Sequence, residues 1–242
     1  MSNIIKIKET DSTNHWLQKQ SEKQTLDEGV AVAAQFQTVG KGQRGNHWES
    51  EAGKNILCSM ILYPEFLPVK QQFLLSETVA LGLKDAMEQY ISPVKIKWPN
   101  DIYYKDKKIA GILIENELSG QITCKSIVGV GLNVNQEQFS PAAPKAVSMK
   151  QILGKETEPD TLLEQTVNAV LFRYNTLKSG NSKSIASAYH NSLYRKSDFH
   201  PFTDRNGAFI AEINRVADDG LLHLITNVGE KRCYAFKEVG YV

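Results

Sequence analysis

Long apolar runs are missing from this sequence, and their absence excludes a chain that crosses a membrane by helices. No stretch approaches the roughly 20 apolar residues that a bilayer requires. The opening segment MSNIIKIKETDS also lacks the apolar core of a secretory signal. Neither sign of charge is in excess, because 28 Lys and Arg stand against 27 Asp and Glu. We therefore expect a cytoplasmic protein with no membrane partner and no strongly basic surface for nucleic acid.

Cysteine and histidine are few and widely spaced. The three cysteines, Cys58, Cys124 and Cys233, lie in apolar, strand-like stretches, so we expect reduced thiols in the core rather than disulfides. The five histidines form no His-x-x-x-His pair and have no Cys-x-x-Cys companion. The sequence therefore predicts no resident metal site, and any metal is expected to arrive with a nucleotide.

Length and patterning favour one sizeable domain with a small appendage. The chain has 242 residues, 41% of them hydrophobic, which is enough to bury a substantial core. Strands and helices are mixed over residues 1–194, whereas residues 195–242 contain short strand-like runs, two of them joined at the hairpin-type turn Asp218-Asp219-Gly220. We predict a larger α+β domain over 1–194 and a small C-terminal β-barrel domain over 195–242.

Hydrophobic periodicity predicts the individual elements. Alternating or continuous apolar runs predict strands at 30–36, 55–63, 94–98, 109–115, 122–134, 208–216, 221–226 and 231–236. Apolar residues at helical spacing predict helices at 69–90, 159–177 and 184–193, and a further helix that ends near residue 23. The turn Lys105–Lys107 is expected to join strands 94–98 and 109–115 in an antiparallel hairpin, and 136–146 is expected to be a loop.

A glycine-rich segment, Gly40-x-Gly42-x-x-Gly45, has the spacing of the dinucleotide-binding fingerprint. The fingerprint requires a helix that begins at the glycines, but the next predicted element here is a strand. What remains is a flexible loop with exposed backbone N–H groups and the cations Lys41 and Arg44, which can close over anionic oxygens. The alternative is an ordinary solvated loop.

Two further segments carry candidate chemistry. Asp101 and Lys108 are expected at facing ends of the predicted hairpin, where the alternative is a pair of solvated charges. Gly129 and Gly131 interrupt a strand, and glycine weakens a strand unless another group must approach the backbone closely.

These segments together resemble a known family. The resemblance rests on Asp11–Asn14, the loop 40–48, KWPND at 97–101, KIAGILIE at 108–115 and VGVGLNVN at 128–135. The motifs occur in the order and approximate spacing of the biotin protein ligases, which are the biotin–acetyl-CoA-carboxylase ligases, and the match spans about 11–154. Lipoate ligases share the fold, but their loop and strand motifs look different.

The resemblance implies a fold, a reaction and partners. The fold is α+β, a class II synthetase-like, largely antiparallel mixed sheet with helices on one side, followed by a small SH3-like barrel. The reaction joins biotin and MgATP into biotinyl-5'-AMP and then transfers biotin to a lysine of a biotin carboxyl carrier protein. Lipoate or octanoate ligation and a non-catalytic ligand-binding module are the alternatives. We expect a monomer or homodimer without specific DNA binding, because only ten residues precede Asp11.

The same resemblance implies roles for individual residues. Lys108 would touch both the biotin carboxylate and the α-phosphate, and Asp101 would orient or deprotonate the acceptor lysine or help to hold magnesium. The residues implied to bind biotin are Ser12, Thr13, Gln37, Gly111 and Gly129. The residues implied to bind the adenylate are Gly40, Lys41, Gly42, Gln43, Arg44, Gly45, Asn46, Trp48 and Asn133, with Arg44 also counted as catalytic.

The sequence departs from the family pattern in two places. Family members often carry three arginines in the glycine loop, whereas this loop has Arg44 alone, beside Lys41 and Asn46. Arginine binds phosphate as a two-pronged fork and lysine as a point charge, so backbone amides and Asn46 are expected to contribute more here. The C-terminal segment FKEVGYV lacks the arginine of some relatives, and no catalytic residue is assigned to it.

Overall fold

The main sheet has seven strands and a mixed, largely antiparallel topology. A computed structural model describes residues 3–242, apart from the side chain of Arg44. The strands are β1 (Ile4–Thr10), β2 (Ala31–Gln37), β3 (Ile56–Leu62), β4 (Val94–Lys97), β5 (Asp101–Tyr104), β6 (Lys107–Ser119) and β7 (Ile122–Leu132). Their order across the sheet is β1-β2-β3-β7-β6-β5-β4, with β1 and β2 parallel and every other neighbouring pair antiparallel.

Helices cover both faces of this sheet. They are α1 (Thr13–Lys23), α2 (Phe73–Met87), α3 (Met149–Leu153), α4 (Pro159–Lys178) and α5 (Ser182–Asn191). Helices α2, α4 and α5 pack on one another and share the main core with residues such as Ala31 of β2. Leu17 of α1 instead packs with Val32, Ile61 and Ile127 in a second cluster. Successive strand residues point to opposite faces, so α1 lies on the other face, and the expectation of helices on one side is wrong for α1.

A second, five-stranded antiparallel sheet ends the chain. Its strands are β8 (His200–Asp204), β9 (Gly207–Val216), β10 (Leu222–Thr226), β11 (Lys231–Tyr234) and β12 (Gly240–Tyr241), in the order β11-β10-β9-β8-β12. Phe202 and Leu224 belong to the same core cluster as α2, and the Trp98 indole N–H donates to the Gly220 carbonyl over 2.9 Å. The expected α+β class is confirmed. The division into 1–194 and 195–242 stays a prediction.

Short elements account for most differences from the predicted pattern. The expected hairpin between 94–98 and 109–115 is wrong, because β5 lies between those strands and pairs with both. With four residues, β5 is too short to show a clear period. Strands β1, β8 and β12 and helix α3 also have no predicted counterpart, and helix 69–90 begins with a 3₁₀ turn before α2.

The cysteines differ in burial. Cys58 is buried in β3, as expected, but Cys124 is half-buried and Cys233 is exposed. Cys124 lies in the outer part of the β6–β7 hairpin and Cys233 in the edge strand β11, where less protein covers them. The prediction of core thiols is therefore wrong for these two. None of the helices in the described range combines the length and apolar character that a bilayer crossing requires.

Candidate active site

A cavity of about 280 Å³ opens on the face of the sheet that carries α1. One row of paired residues runs beneath it, with Gly131 opposite Gly111, Gly111 opposite Asp101, and Asp101 opposite Lys97. The start of α1 closes one end of the cavity, and the C-terminal sheet contributes to the other. The cavity is therefore built from segments that are far apart in the chain.

The first end, which we call the polar end, is lined by Ser12, Thr13, Asn14 and Gln37, and Ser59 supports it through contacts with Thr13 and Asn14. The backbone N–H and the hydroxyl of Thr13 both donate to Gln37 Oε1, over 2.8 and 3.0 Å. Ser59 Oγ lies 2.7 Å from Thr13 Oγ1 and 2.6 Å from Asn14 Oδ1. These buried groups hold one another in fixed orientations, so the polar end is preorganised before a ligand arrives.

Glu115 fixes the outer side of this network. Asn14 Nδ2 donates to Glu115 Oε2 over 2.6 Å, which sets the direction of the Asn14 amide. A Cβ atom on Gly129 would lie 2.4 Å from Asn14 Oδ1. Glycine is therefore needed at position 129 because the Asn14 side chain leaves no space for a Cβ atom, apart from any ligand that approaches the strand.

Ser12 has a hydroxyl that its own helix does not use. It occupies the N-cap position of α1 but makes no capping hydrogen bond with its side chain, whereas its backbone N–H donates to Asp11 Oδ1 over 2.7 Å. Ser12 is buried against the cavity, and its hydroxyl has no hydrogen-bond partner among residues 3–242. This hydroxyl is available to a ligand that carries a polar group.

Trp48 lies flat on the glycines of the sheet. A Cβ atom would come within 2.4 Å of the Trp48 ring from Gly131 and within 3.0 Å from Gly111. The ring fits only because both positions lack a side chain. The indole Nε1 is buried without a hydrogen-bond partner among the described residues, and such an unused donor is uncommon in protein interiors.

A second cavity of about 560 Å³ adjoins the first. Asn46, His47, Trp48 and Lys108 line both cavities. The remaining wall of the second cavity comes from Gly45, Glu49, Asn133, Gln136, Phe139, Ser140, Ala142, Ala143 and Ala146. The Trp48 ring and the Lys108 ammonium, 5.4 Å from the ring centre, therefore lie where two ligands would meet.

The second end of the first cavity, which we call the cationic end, is lined by Lys97, Asp101, Lys108 and Tyr241, and Tyr103 supports it through its contact with Lys97. Lys108 Nζ lies 2.7 Å from Asp101 Oδ1, and both side chains are half-buried. Lys97 Nζ donates to Tyr103 Oη over 3.0 Å and lies 4.8 and 4.9 Å from the ring centres of Tyr103 and Tyr241. Burial lowers the pKa of Lys97, with Asp101 opposing this effect and Lys145 and Lys108 adding to it.

The backbone of Lys108 is held by a loop. Its N–H donates to the Lys145 carbonyl over 2.7 Å, and its carbonyl accepts from the Val147 N–H over 2.9 Å. Asn133 Nδ2 donates to the same Val147 residue, at its carbonyl, over 3.2 Å. The segment 136–146 is irregular, as expected, but its end fixes the position of the central lysine.

The structure brings most of the predicted site residues to the two cavities. The first cavity includes Ser12, Thr13, Gln37, Lys41, Gly42, Gln43, Asn46, Trp48, Asp101, Lys108, Gly111 and Gly129, and the second adds Gly45 and Asn133. Gly40 lines neither cavity, but a Cβ there would lie 2.4 Å from the Trp48 carbonyl oxygen. The side chain of Arg44 lies outside the described residues. The individual roles stay predictions.

Several residues of the site were not predicted from the sequence. Asn14 and Ser59 complete the polar end. Lys97 and Tyr241 complete the cationic end, although no catalytic residue was assigned to the C-terminal segment. The sequence could have indicated Ser59, because it is a polar residue inside an otherwise apolar strand. No sequence pattern indicated Tyr241, because β12 has only two residues.

Metal ligands are scarce in this region. Asp101 is the single carboxylate that the described residues contribute to the wall of the first cavity. Within residues 3–242, no three His, Cys, Asp or Glu side chains are grouped as a metal site would require. Lysines predominate instead, which suits anionic ligands.

Comparison with known proteins gives a consistent family. Residues 7–133 match the model of the biotin/lipoate A/B protein ligase family. The chain is 28% identical over 212 residues to the bifunctional ligase/repressor BirA of Bacillus subtilis, covering 86% of this chain and 65% of that protein. It is 33% identical over 168 residues to the biotin–[acetyl-CoA-carboxylase] ligase of Paracoccus denitrificans, covering 64% and 66%.

A solved structure resembles the whole chain. The biotin protein ligase from Aquifex aeolicus in complex with biotin and ATP has a TM-score of 0.81 to it, with 24% identity and full coverage of both chains. At this identity the likeness shows the fold.

Proposed function

The chain belongs to the biotin/lipoate A/B protein ligase family, and we propose that it is an ATP-dependent, AMP-forming biotin protein ligase. In this proposal it converts biotin and MgATP into biotinyl-5'-AMP and transfers biotin to a lysine of a biotin carboxyl carrier domain in the cytoplasm. The carrier belongs to acetyl-CoA carboxylase or a related carboxylase. Magnesium enters with the nucleotide as part of the substrate.

The observation that carries the proposal is the pair of adjoining cavities that share Lys108 and Trp48. Biotin occupies the first cavity and the nucleoside the second, so the carboxylate and the α-phosphate both come to the Lys108 ammonium. A ligase of this kind must bring these two anions into contact. A fixed cation between them offsets their repulsion and the charge that develops in the transition state.

The polar end favours biotin over a fatty acyl or lipoyl group. The ureido ring of biotin has two N–H donors and one carbonyl acceptor, which match the hydroxyls of Ser12 and Thr13 and the amide of Gln37. A dithiolane ring or an alkyl chain offers no hydrogen bond, and burying the Ser12 hydroxyl against it would leave that hydroxyl without a partner among the described residues. The polar end therefore supports a substrate with a polar heterocycle.

Two reaction steps follow from this arrangement. In the first step, a biotin carboxylate oxygen attacks the α-phosphorus, and the bond to pyrophosphate breaks. In the second step, the neutral amine of the acceptor lysine attacks the acyl carbon, and AMP leaves. Asp101, held 2.7 Å from Lys108, guides the acceptor amine and takes up its proton.

A direct test is to incubate the chain with biotin, MgATP and a biotin carboxyl carrier domain, and to weigh the carrier. We expect a mass increase of one biotinyl group that requires ATP and is lost when the target lysine of the carrier is replaced by Arg. Parallel reactions with lipoate and octanoate measure selectivity. Preferential lipoyl or octanoyl transfer would instead identify a lipoate-type ligase, and biotin binding without any transfer would indicate a ligand-binding module.

A further inference from the structure

Lys97 is a half-buried cation on the cavity wall without a carboxylate partner. Among the described residues it forms no ion pair, and its ammonium contacts the Tyr103 hydroxyl and the rings of Tyr103 and Tyr241. Lys108, in contrast, is paired with Asp101 over 2.7 Å. Asp101 thus forms a direct ion pair with Lys108 and opposes the charge of Lys97 only without such a contact.

Further cations surround Lys97. Lys145, whose carbonyl accepts the Lys108 N–H over 2.7 Å, and Arg195 both act on Lys97 electrostatically, as does Lys108. Asp101 is the one acidic group among the charged residues that act on Lys97. Lys97 and Lys108 are half-buried, and cations with so little opposing charge produce a positive potential that suits a multiply charged anion.

From this arrangement we propose that Lys97 binds the departing pyrophosphate of the nucleotide and so promotes adenylation rather than transfer. The inference rests on the proposed function, because it assigns a group to the leaving end of the same nucleotide. Two tyrosine rings flank the Lys97 ammonium, and the Tyr103 hydroxyl fixes its position at 3.0 Å. The ammonium is therefore held in place and is not free to reach elsewhere.

The chemistry of the first step explains why a cation is useful there. The carboxylate oxygen forms a bond to the α-phosphorus while the bond from that phosphorus to the bridging oxygen breaks. The electron pair stays on the bridging oxygen, so the pyrophosphate gains negative charge and no proton moves. A fixed ammonium beside the pyrophosphate stabilises this charge, whereas in the transfer step the pyrophosphate has already left.

The test measures the two half-reactions separately. Biotin-dependent exchange of labelled pyrophosphate into ATP reports adenylation, and reaction of chemically prepared biotinyl-5'-AMP with the carrier domain reports transfer. The variants are Lys97→Met, which keeps the length of the side chain, and Lys97→Arg, which keeps the charge. Lys95→Met is the matched control, because Lys95 lies two residues earlier on β4 and does not line the cavity.

We expect Lys97→Met to lower the exchange rate by about 10²-fold, a typical effect of removing one group that stabilises developing charge. It should also raise the inhibition constant of inorganic pyrophosphate, while transfer changes by less than about threefold. Lys97→Arg should recover most of the exchange, and Lys95→Met should match the wild type. Melting temperatures show whether each variant is folded, and the Arg variant tests the charge even if the Met variant is unstable.

Two results would overturn the inference while the wild type still ligates biotin. An unchanged rate of pyrophosphate exchange in Lys97→Met would show that Lys97 does not take part in adenylation. An equal or larger loss in transfer, with an altered pH profile, would show that Lys97 acts on the acceptor amine. A wild-type chain without biotin-dependent exchange would contradict the proposed function itself, and the inference would fall with it.

Discussion

The two ends of the first cavity use different physical means to prepare for a ligand. At the polar end, Thr13, Ser59 and Asn14 are joined in a continuous network of hydrogen bonds. At the cationic end, Lys108 has one ion pair and Lys97 has none among the described residues. The polar end thus presents fixed dipoles whose own needs are largely met, whereas the cationic end presents charge that a ligand must neutralise.

This difference separates recognition from reaction. Dipoles held in fixed directions discriminate between substrates, because a ligand that fails to match the unused Ser12 hydroxyl leaves this buried group unpaired. Cations with little opposing charge lower the energy of states with more negative charge, and such states arise during phosphoryl transfer. We therefore expect changes at the polar end to alter affinity for biotin, and changes at the cationic end to alter rate.

The largest expected effect follows from removing the shared lysine. Lys108→Ala should lower the adenylation rate by about 10³-fold, because a preorganised charge at the reacting centre contributes on this scale. Biotin affinity measured by calorimetry should change far less. The control is Lys107→Ala, a neighbouring exposed lysine on the same strand. If Lys108→Ala turns over at close to the wild-type rate, Lys108 has no role in the reaction. The assignment of rate to the cationic end would then be wrong.

The second prediction concerns the boundary between the cavities. Gly131→Ala should displace Trp48, since the added Cβ would lie 2.4 Å from the ring. Both ligands meet at this ring, so affinity for biotin and for ATP should each fall by about ten- to thirtyfold, below the effect of Lys108→Ala. Tryptophan fluorescence would report the displacement. If only one affinity changes, Trp48 does not separate the two ligands.

The sequence predicts the long elements of this fold better than the short ones. The apolar runs of β3 and β7 and the period of α4 are visible because each spans several buried positions. Four residues in β5 and two in β12 are too few to establish a period, and their positions depend on neighbouring strands. The missed strand β5 brings Asp101 opposite Gly111, beneath the cavity.

The site shows the same limit. Asp101 and Lys108 were expected to face each other because both flank one turn region, and the structure joins them in an ion pair. The contacts of Asn14 with Ser59, and of Lys97 with Tyr241, join segments whose approach depends on the whole fold. No local pattern encodes such contacts, so the polar end was predicted in part and Lys97 was not.

A third, smaller effect tests the polar end directly. Thr13→Val keeps the shape of the side chain but removes the hydroxyl that donates to Gln37 Oε1 and contacts Ser59. Affinity for biotin should fall by about tenfold, the usual consequence of leaving a buried hydrogen-bonding group unpaired. The KM for ATP and the transfer rate from biotinyl-5'-AMP should stay near wild type. Thr38→Val, at an exposed threonine, is the matched control.

If Thr13→Val lowers the reaction rate but leaves the affinity for biotin unchanged, the assignment of recognition to the polar end is wrong. Loss of ATP affinity in the same variant would show that the two ends are coupled through the network rather than separate.

The smallest expected effect comes from salt and requires no mutation. Raising the ionic strength from about 0.05 to 0.5 M shortens the range of electrostatic attraction from roughly 14 to 4 Å, so the KM for ATP should rise a few-fold. The amide of biotin keeps the ureido ring but lacks the carboxylate, and its affinity should change by less than about twofold. Lys97→Met should reduce the salt dependence of the ATP KM, and Lys95→Met should leave it unchanged. Equal salt dependence for ATP and the biotin amide would mean that charge acts throughout the cavity, because fixed dipoles at the polar end respond little to screening.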